Sequence, residues 1–567
     1  MPTAGSGSTS PERAPQACTS CRKQKRKCDK ALPACALCTR LKRECDYFDT
    51  SSAGSSDDLT FLRQKVQELE QRLNGVNGNS TPSTNGNTPD SLQLLSNYSG
   101  DSSLDDFIKS CLAPDAELSP MNVFFLDSWA FKEGELSINM PKPHVPPEIL
   151  MNLGYSGDMQ ALVELYFSNI HTWFPIVSKK RLSQTMSNPT REPGPDMILL
   201  FLCMKLVTTY LPLDEQDTRI PLYWTTKQYF SIVESSGVFS VRIVQATLLI
   251  AIYEIGHCIY PAAYLTVGAA ARLGHAIGLH DRKNAPQMLK RPISWTEYEE
   301  ARRTWWGVVI LERYVNSGAL GRPLATEEPL QDDMLPSDDN LWDQGEMNPA
   351  GPLYVSSDSN IPASTFARTC QAAHILGRVL RHRNDQSLDC SYRLAEALQL
   401  IRTVEALQVL LNDESTTAPQ RMSTAVAICY SAFEGICDPY SCGKDGRYGI
   451  EQIELQKAAL EGLKNASRGI FEFIRRLRQS FAFDLAAISP LILDCVYASA
   501  ATHAWIVTEN GDPECLSCYN EEKDFLGLIS TRWRAADQPK YSHYRPSLPG
   551  ARGDYTELPS HGYPTKI

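Results

Sequence analysis

Six cysteines stand at positions 18, 21, 28, 35, 38 and 45, in a C-x2-C-x6-C spacing that is repeated after a six-residue joint. No other feature constrains the chain as tightly. Each C-x2-C pair lets two thiolates reach one ion from a tight turn, and the seven-residue step to the third cysteine is about two helical turns, which returns it to the same side. Three thiolates cannot close a tetrahedral zinc site, and six thiolates leave two of the eight positions around two ions unfilled, so two thiolates must bridge. The spacing therefore predicts two Zn2+ per chain, held by Cys18, Cys21, Cys28, Cys35, Cys38 and Cys45. With sulfur at every position there is no place for an activated water, which makes the metal structural rather than hydrolytic.

The same stretch is strongly basic. Residues 18–45 hold nine Lys/Arg against Asp29 and Glu44, a charge of +7, whereas the whole chain carries −11 and so leaves −18 for the rest. Six thiolates and two dications lower the module only to +5. A small basic module on an acidic chain is built to face a polyanion. A membrane surface is the competing polyanion, but no amphipathic apolar face accompanies the cations. The x6 stretch of the first half is RKQKRK and that of the second is TRLKRE, so Arg22, Lys23, Lys25, Arg26 and Lys27 make the first half the more basic of the two. A helical wheel turns Lys23, Arg26 and Lys27 outward and Lys25 toward the metal. Outside a cysteine cluster, such a run reads as a nuclear import patch or a solvated charge run.

Composition sets the remaining bounds. Hydrophobic residues make up 42% and charged residues 21% of the chain, which is ordinary for a protein that folds in water. The first sixteen residues contain no apolar run, which argues against a secretory signal. The apolar stretch Ile243–Ile255 is broken by Gln245 and Glu254 and falls short of the ~20 residues of a spanning helix. A soluble intracellular protein without a membrane partner is expected, and in that reducing setting clustered cysteines are metal ligands rather than disulfides. No GxxxxGK[ST], GxSxG or HExxH motif is present, so no enzymatic activity is expected.

Residues 1–17 read as a disordered N-terminus, 18–45 as the zinc module and 46–58 as a Ser/Asp-rich linker. Leu59, Leu62, Val66, Leu69, Leu73 and Val76 then follow a 3-4-3-4-3 spacing, the a/d seam of a coiled coil over 59–76. In parallel register Lys65 faces Glu70 of a second copy, which favours a homodimer; the alternative is one amphipathic helix packed on the body. Residues 77–103 form a low-complexity linker and 104–150 an acidic, hydrophobic connecting segment suited to activation or to docking on the body. Residues 151–535 carry helical periodicity, and 536–567 read as a disordered tail.

Within that body, Leu162, Tyr166, Ile170 and Trp173 recur at helical spacing, with Asp158 as a cap and Pro175 as a stop. Val241–Ile255 is apolar nearly all round and predicts a buried helix. Gly268, Ala271, Gly274 and Gly278 offer small surfaces for close helix packing. Ser294 and Glu297 form a capping-box pattern, and Glu299 can pair with Arg303 at i,i+4. Strand alternation is scarce, so the fold class is mainly α, with a large all-α domain. His257, His275 and His280 have no ligand-spaced partner and read as core or surface histidines, and Cys515 and Cys518 lack a companion pair.

Residues 18–45 resemble the fungal Zn2Cys6 binuclear-cluster transcription factors in their cysteine spacing, basic run and Pro33. The resemblance implies that Cys18 and Cys35 bridge the two ions. It also implies that the first-half helix enters the major groove with Lys25 near the bases of a CGG triplet, where a lysine can donate to guanine O6 and N7. Arg22, Lys23, Arg26 and Lys27 would then serve mainly phosphates. The segments YFSNIHTWFPIV, AARLGHAIGLH, EEARRTWWGVVILERY, Gly321–Pro323 and Asp332–Pro336 resemble the fungal-specific transcription factor domain, a regulatory domain that sometimes answers to a metabolite. Together these imply a nuclear, dimeric regulator of transcription that meets the transcription machinery, an activator in preference to a repressor, of the kind that controls secondary-metabolite gene clusters. A zinc-buffering or redox thiol protein is the rival from another class.

Overall fold

The computed structural model describes residues 14, 17, 18, 20, 21, 26–43, 45 and 140–537, the last range without 189–191, 213–214, 282–284, 286–287, 290–291, 319–320, 350, 359–360, 386–389 and 442–449. The heptad residues Leu59, Leu62, Val66, Leu69, Leu73 and Val76 lie outside the described residues, as do Arg22, Lys23 and Lys25. The chain divides into two units, Met1–Asp101 and Ser102–Ile567. Among the described residues of the first lies one short helix, α1 (Ala36–Arg40).

The second unit is helical. Its first half runs through α2 (Pro147–Leu153), α3 (Ser156–Asn169), α4 (Lys179–Met186), α5 (Pro195–Thr208), α6 (Pro221–Ser235), α7 (Val241–Gly256), α8 (Ala262–Ala276), α9 (Trp295–Val315) and α10 (Asp339–Gln344). The second half comprises α11 (Thr365–Asn384), α12 (Cys390–Glu414), α13 (Pro419–Ser441), α14 (Ile450–Gln479), α15 (Leu493–Asn510) and α16 (Pro513–Ser530). Among the described residues no strand forms, and an isolated antiparallel bridge joins Met334 to Tyr354.

Local chemistry sets the helix starts. Pro195 and Pro221 occupy first turns, where a missing N–H costs nothing. The hydroxyls of Ser240, Ser294 and Ser364 accept backbone N–H groups of α7, α9 and α11. α5 and α7 are apolar almost all round, and they pack on each other in the interior. α7 also carries α8 and α9. In the second half α13 is the centre, packed by α11, α12, α14 and α15, and α11 reaches α9 to join the halves into one core that runs from Ile149 to Ala536.

The end of the helical unit returns to its beginning. Trp533 lies so close to Gly256 that a Cβ there would overlap the indole, and its Nε1 donates to Ile488 O at 2.9 Å. Arg532 stacks over Trp533 at 3.8 Å and Tyr210 at 4.8 Å while donating to Val207 O.

Several local expectations are met and others change. Tyr166, Ile170 and Trp173 are fully buried, but α3 ends at Asn169, before Ile170, Trp173 and the expected stop at Pro175; the predicted buried helix is α7. Asp158 does cap the start of α3, from the third position of the helix: its carboxylate accepts from Tyr155 N, the N-cap residue, at 2.9 Å. The Ser294 pattern closes only halfway, because Glu297 reaches Ile293 N (2.7 Å) instead of the cap residue's own N–H. Residues Pro490–Asn510 are long and apolar enough to span a membrane, yet 61% of that window is buried inside the helical unit.

Candidate metal centre and nucleic-acid interface

The cluster is built from two like halves. Arg26 N donates to Cys21 O and Arg43 N to Cys38 O, both at 3.0 Å, so the same i to i−5 closure follows each C-x2-C pair seventeen residues apart. In the second half the turn is visible in full. α1 ends at Leu41, and Lys42 takes the left-handed conformation (φ 49°) that a helix-ending closure of this form requires. The start of α1 is fixed by Cys35, whose Sγ accepts from Cys38 N at 3.4 Å. Asp29, an acid among cations that sequence reasoning passed over, accepts from Ala36 N at 3.2 and 3.3 Å.

These turns bring all six cysteines together. Cys18, Cys21, Cys35 and Cys38 are buried, and Cys28 and Cys45 are half-buried. Two quartets result, Cys18–Cys21–Cys28–Cys35 and Cys18–Cys35–Cys38–Cys45, each with its sulfurs within 4.8 Å of one another. Cys18 and Cys35 belong to both. The Cys18–Cys35, Cys18–Cys38 and Cys21–Cys35 separations are each 3.7 Å, and Cys28–Cys18 is 4.0 Å. A tetrahedral zinc with Zn–S near 2.3 Å places its sulfurs about 3.8 Å apart, whereas a disulfide needs about 2.05 Å. The donor set thus fits two Zn2+, one in each quartet.

Electrostatics single out the shared pair. Burial desolvates the Cys35 thiol and would raise it, but the Cys38 backbone N–H and the neighbouring thiols hold it down to about 6; Cys18 is lowered in the same way by its bonds to Cys21. Desolvation and proton sharing with Cys18 and Cys35 push Cys21 up to about 12 and raise Cys38 further. The two thiols that their neighbours lower, Cys18 and Cys35, are those in both quartets.

Around the sulfurs, Arg26 and Lys27 are exposed in the first half, as are Arg40, Lys42 and Arg43 in the second. Among the described residues no other group of cysteines, histidines or acids is arranged to hold a metal. Cys515 and Cys518 sit half-buried on α16 with thiols pushed up to about 11 by desolvation and nearby acids. His257 is buried, with neither ring nitrogen hydrogen-bonded, against Tyr253 and Trp533. His275 is half-buried and His280 exposed, both beside Trp305.

Comparison with known proteins agrees with this geometry. Residues 16–54 match the fungal Zn(2)-Cys(6) binuclear cluster domain and residues 163–408 the fungal specific transcription factor domain. Transcription factor BOA15 of Botryotinia fuckeliana is 39% identical over 183 residues, 32% of this chain and 99% of that protein. The chain is a fungal Zn2Cys6 transcription factor. This class is DNA-binding, acts in the nucleus and is not an enzyme family. The factor is also similar to pigB, a pigment biosynthesis transcriptional activator of Monascus ruber (23% identity; 65% of this chain, 63% of that one). A third relative is azaR, an azaphilone cluster-specific transcription factor of Aspergillus niger (27%; 40% and 50%). With these two the Zn2Cys6 factor shares less than two thirds of the relative's length. No solved structure matches it.

Proposed function

We propose that this Zn2Cys6 factor binds CGG-type half-sites as a homodimer and activates, by RNA polymerase II, the genes of one secondary-metabolite cluster. The observation that carries the reading is the pair of quartets sharing Cys18 and Cys35, with the exposed cations Arg26 and Lys27 beside them. Two ions sharing two sulfurs hold a segment of 28 residues rigid without a hydrophobic core, and rigidity is what base recognition demands. The role of all six cysteines as zinc ligands is supported by the sulfur spacing.

Lys25 is assigned to bases and Arg22, Lys23, Arg26 and Lys27 to phosphates. What supports this over the wheel is the Arg26 N to Cys21 O bond: its twin in the second half closes a helix whose left-handed residue, Lys42, stands seventeen positions after Lys25. By that repeat Lys25 corresponds to Lys42, the residue just past the end of α1. Dimerisation through Leu59, Leu62, Val66, Leu69, Leu73 and Val76 follows from their a/d spacing. The activator and cluster-specific roles rest on relatives named as such.

Genome-wide footprinting of the native protein tests motif, half-site spacing and regulated genes together, and deletion that raises target transcripts would turn the activator into a repressor. In gel shifts, Lys25→Ala is expected to lose about 1–3 kcal/mol of discrimination for the triplet, while Arg22→Ala weakens all duplexes alike and lowers the salt slope by about one. Chelation of zinc should abolish both; equal losses on every duplex for the two variants would refute the division of roles.

A further inference from the structure

One face of α8 borders an unfilled space. A Cβ on Gly274 would strike Trp305 of α9, so that glycine serves close packing, whereas a Cβ on Gly268 meets nothing within 4 Å. Beside Gly268 lies a cavity of about 250 Å³ between α8, α9 and residues 323–325. Leu265, Val267, Val315 and Pro323 make its wall largely apolar, and Leu265 is 63% exposed, so the cavity opens outward.

The charge around it is one-sided. Glu312, the acid on the wall, is already bound by the Arg313 guanidinium and accepts from Ala325 N at 2.9 Å. Arg272, also on the wall, is exposed and forms no ion pair among the described residues. Arg322 lies over the ring of Tyr264, a wall residue, at 4.9 Å and over Tyr260 at 5.5 Å; it donates to Tyr260 Oη and likewise meets no acid among the described residues. Two guanidinium groups without counter-ions beside an apolar hollow are complementary to acids next to a bulky apolar side chain.

The chain contains such a sequence. Residues 104–139, outside the described residues, carry seven acids against Lys109 and Lys132, a charge of −5, and begin Leu104-Asp105-Asp106-Phe107. Residues 538–567, with four Lys/Arg against Asp554 and Glu557, would be repelled instead. Phe107 stands 33 residues before Met140, where the described helical unit begins. A flexible chain of that length averages ~32 Å end to end, beyond the ~21 Å radius of gyration of a body of about 400 residues, so the face is within reach.

We propose that Asp105, Asp106 and Phe107 of the same chain dock on this face, with Phe107 in the cavity beside Gly268 and the two aspartates on Arg272 and Arg322. The size agrees, since about 150 Å³ already holds one benzene ring. Of the two roles that its sequence suits, docking on the body falls to the start of the 104–150 segment.

The test uses the full-length, zinc-loaded protein and a fluorescein-labelled peptide of residues 102–113, followed by anisotropy. In the wild type the chain's own segment holds the face, so the peptide should bind at least tenfold more weakly than to the Phe107→Ala protein. Added to Phe107→Ala, Gly268→Leu should abolish binding by filling the cavity, with Gly268→Ala intermediate. Arg272→Glu should weaken the native peptide at least tenfold and favour a peptide carrying Asp105→Lys and Asp106→Lys. All variants should keep the wild-type circular dichroism and gel shift, which separates a lost site from a lost fold. No binding to the Phe107→Ala protein, equal binding to it and to the wild type, or binding that Gly268→Leu leaves intact overturns the site. Equal affinity for the acidic and the lysine peptides overturns the charge pairing. If Gly268→Leu lowers the mass in sedimentation while Phe107→Ala changes nothing, the face belongs to a second copy and the proposal falls.

Discussion

At the level of single residues, His257 shows how burial is converted into pH dependence. Desolvation, and then the nearby Arg532 and Arg534, push its pKa down to about 3. The unfolded chain, with an ordinary histidine near 6.5, therefore binds a proton that the folded chain refuses, and stability falls as pH drops below that value. By pH 5 the loss from this one group is about 2 kcal/mol. Since neither ring nitrogen has a partner, His257→Leu should flatten urea stability between pH 7 and 5 without a penalty at pH 7; an unchanged slope would show that another group sets it. None of this was legible beforehand. The sequence marks His257 as a histidine among apolar neighbours, but Trp533, which covers it, is hundreds of residues distant. In the same way Gly268 and Gly274 look alike in sequence, and only the position of Trp305 separates a packed glycine from one beside a void.

Helices and their connections tell a different story, because their signals are periodic and local. α3, α7 and α9 follow from apolar spacing and caps. The partners of their polar residues do not. Glu299 and Arg303 satisfy the i,i+4 rule for an exposed pair, yet both are wholly buried, with N to O 2.9 Å. Arg303 also meets Asp339 Oδ1 and Ser337 O at 2.7 Å each and stacks over Trp342 at 4.2 Å, while Glu299 Oε1 accepts from Ser337 N at 2.7 Å. Trp306 adds a bond to Met334 O at 3.0 Å. The Asp332–Pro336 motif is thus a strap laid across α9. Stranding one buried charge costs about 3–5 kcal/mol. Glu299→Ala should lose stability on that scale in urea melts and speed hydrogen exchange at Leu335 and Ser337 first. Uniform exchange across the helical unit would count against a strap.

On the scale of the molecule, the cysteine module was the most legible part, since its covalent spacing alone dictates which sulfurs can share an ion. Its positive charge against an acidic remainder was likewise open to view, whereas the helical unit revealed its class but not its cavity. The sharing of Cys18 and Cys35 has a further consequence. Withdrawing one ion leaves its neighbour a full set of four sulfurs and releases only the two cysteines that the lost ion alone had held. With both ions present, each shared thiolate serves two dications that repel one another, so the second ion should be held less tightly than the first. Titrated against a zinc buffer, metal content should rise in two steps, with DNA affinity following the second. A single joint step with a Hill slope near two would mean that the ions enter together. A factor wired this way can lose its grip on DNA while half of its metal is still in place.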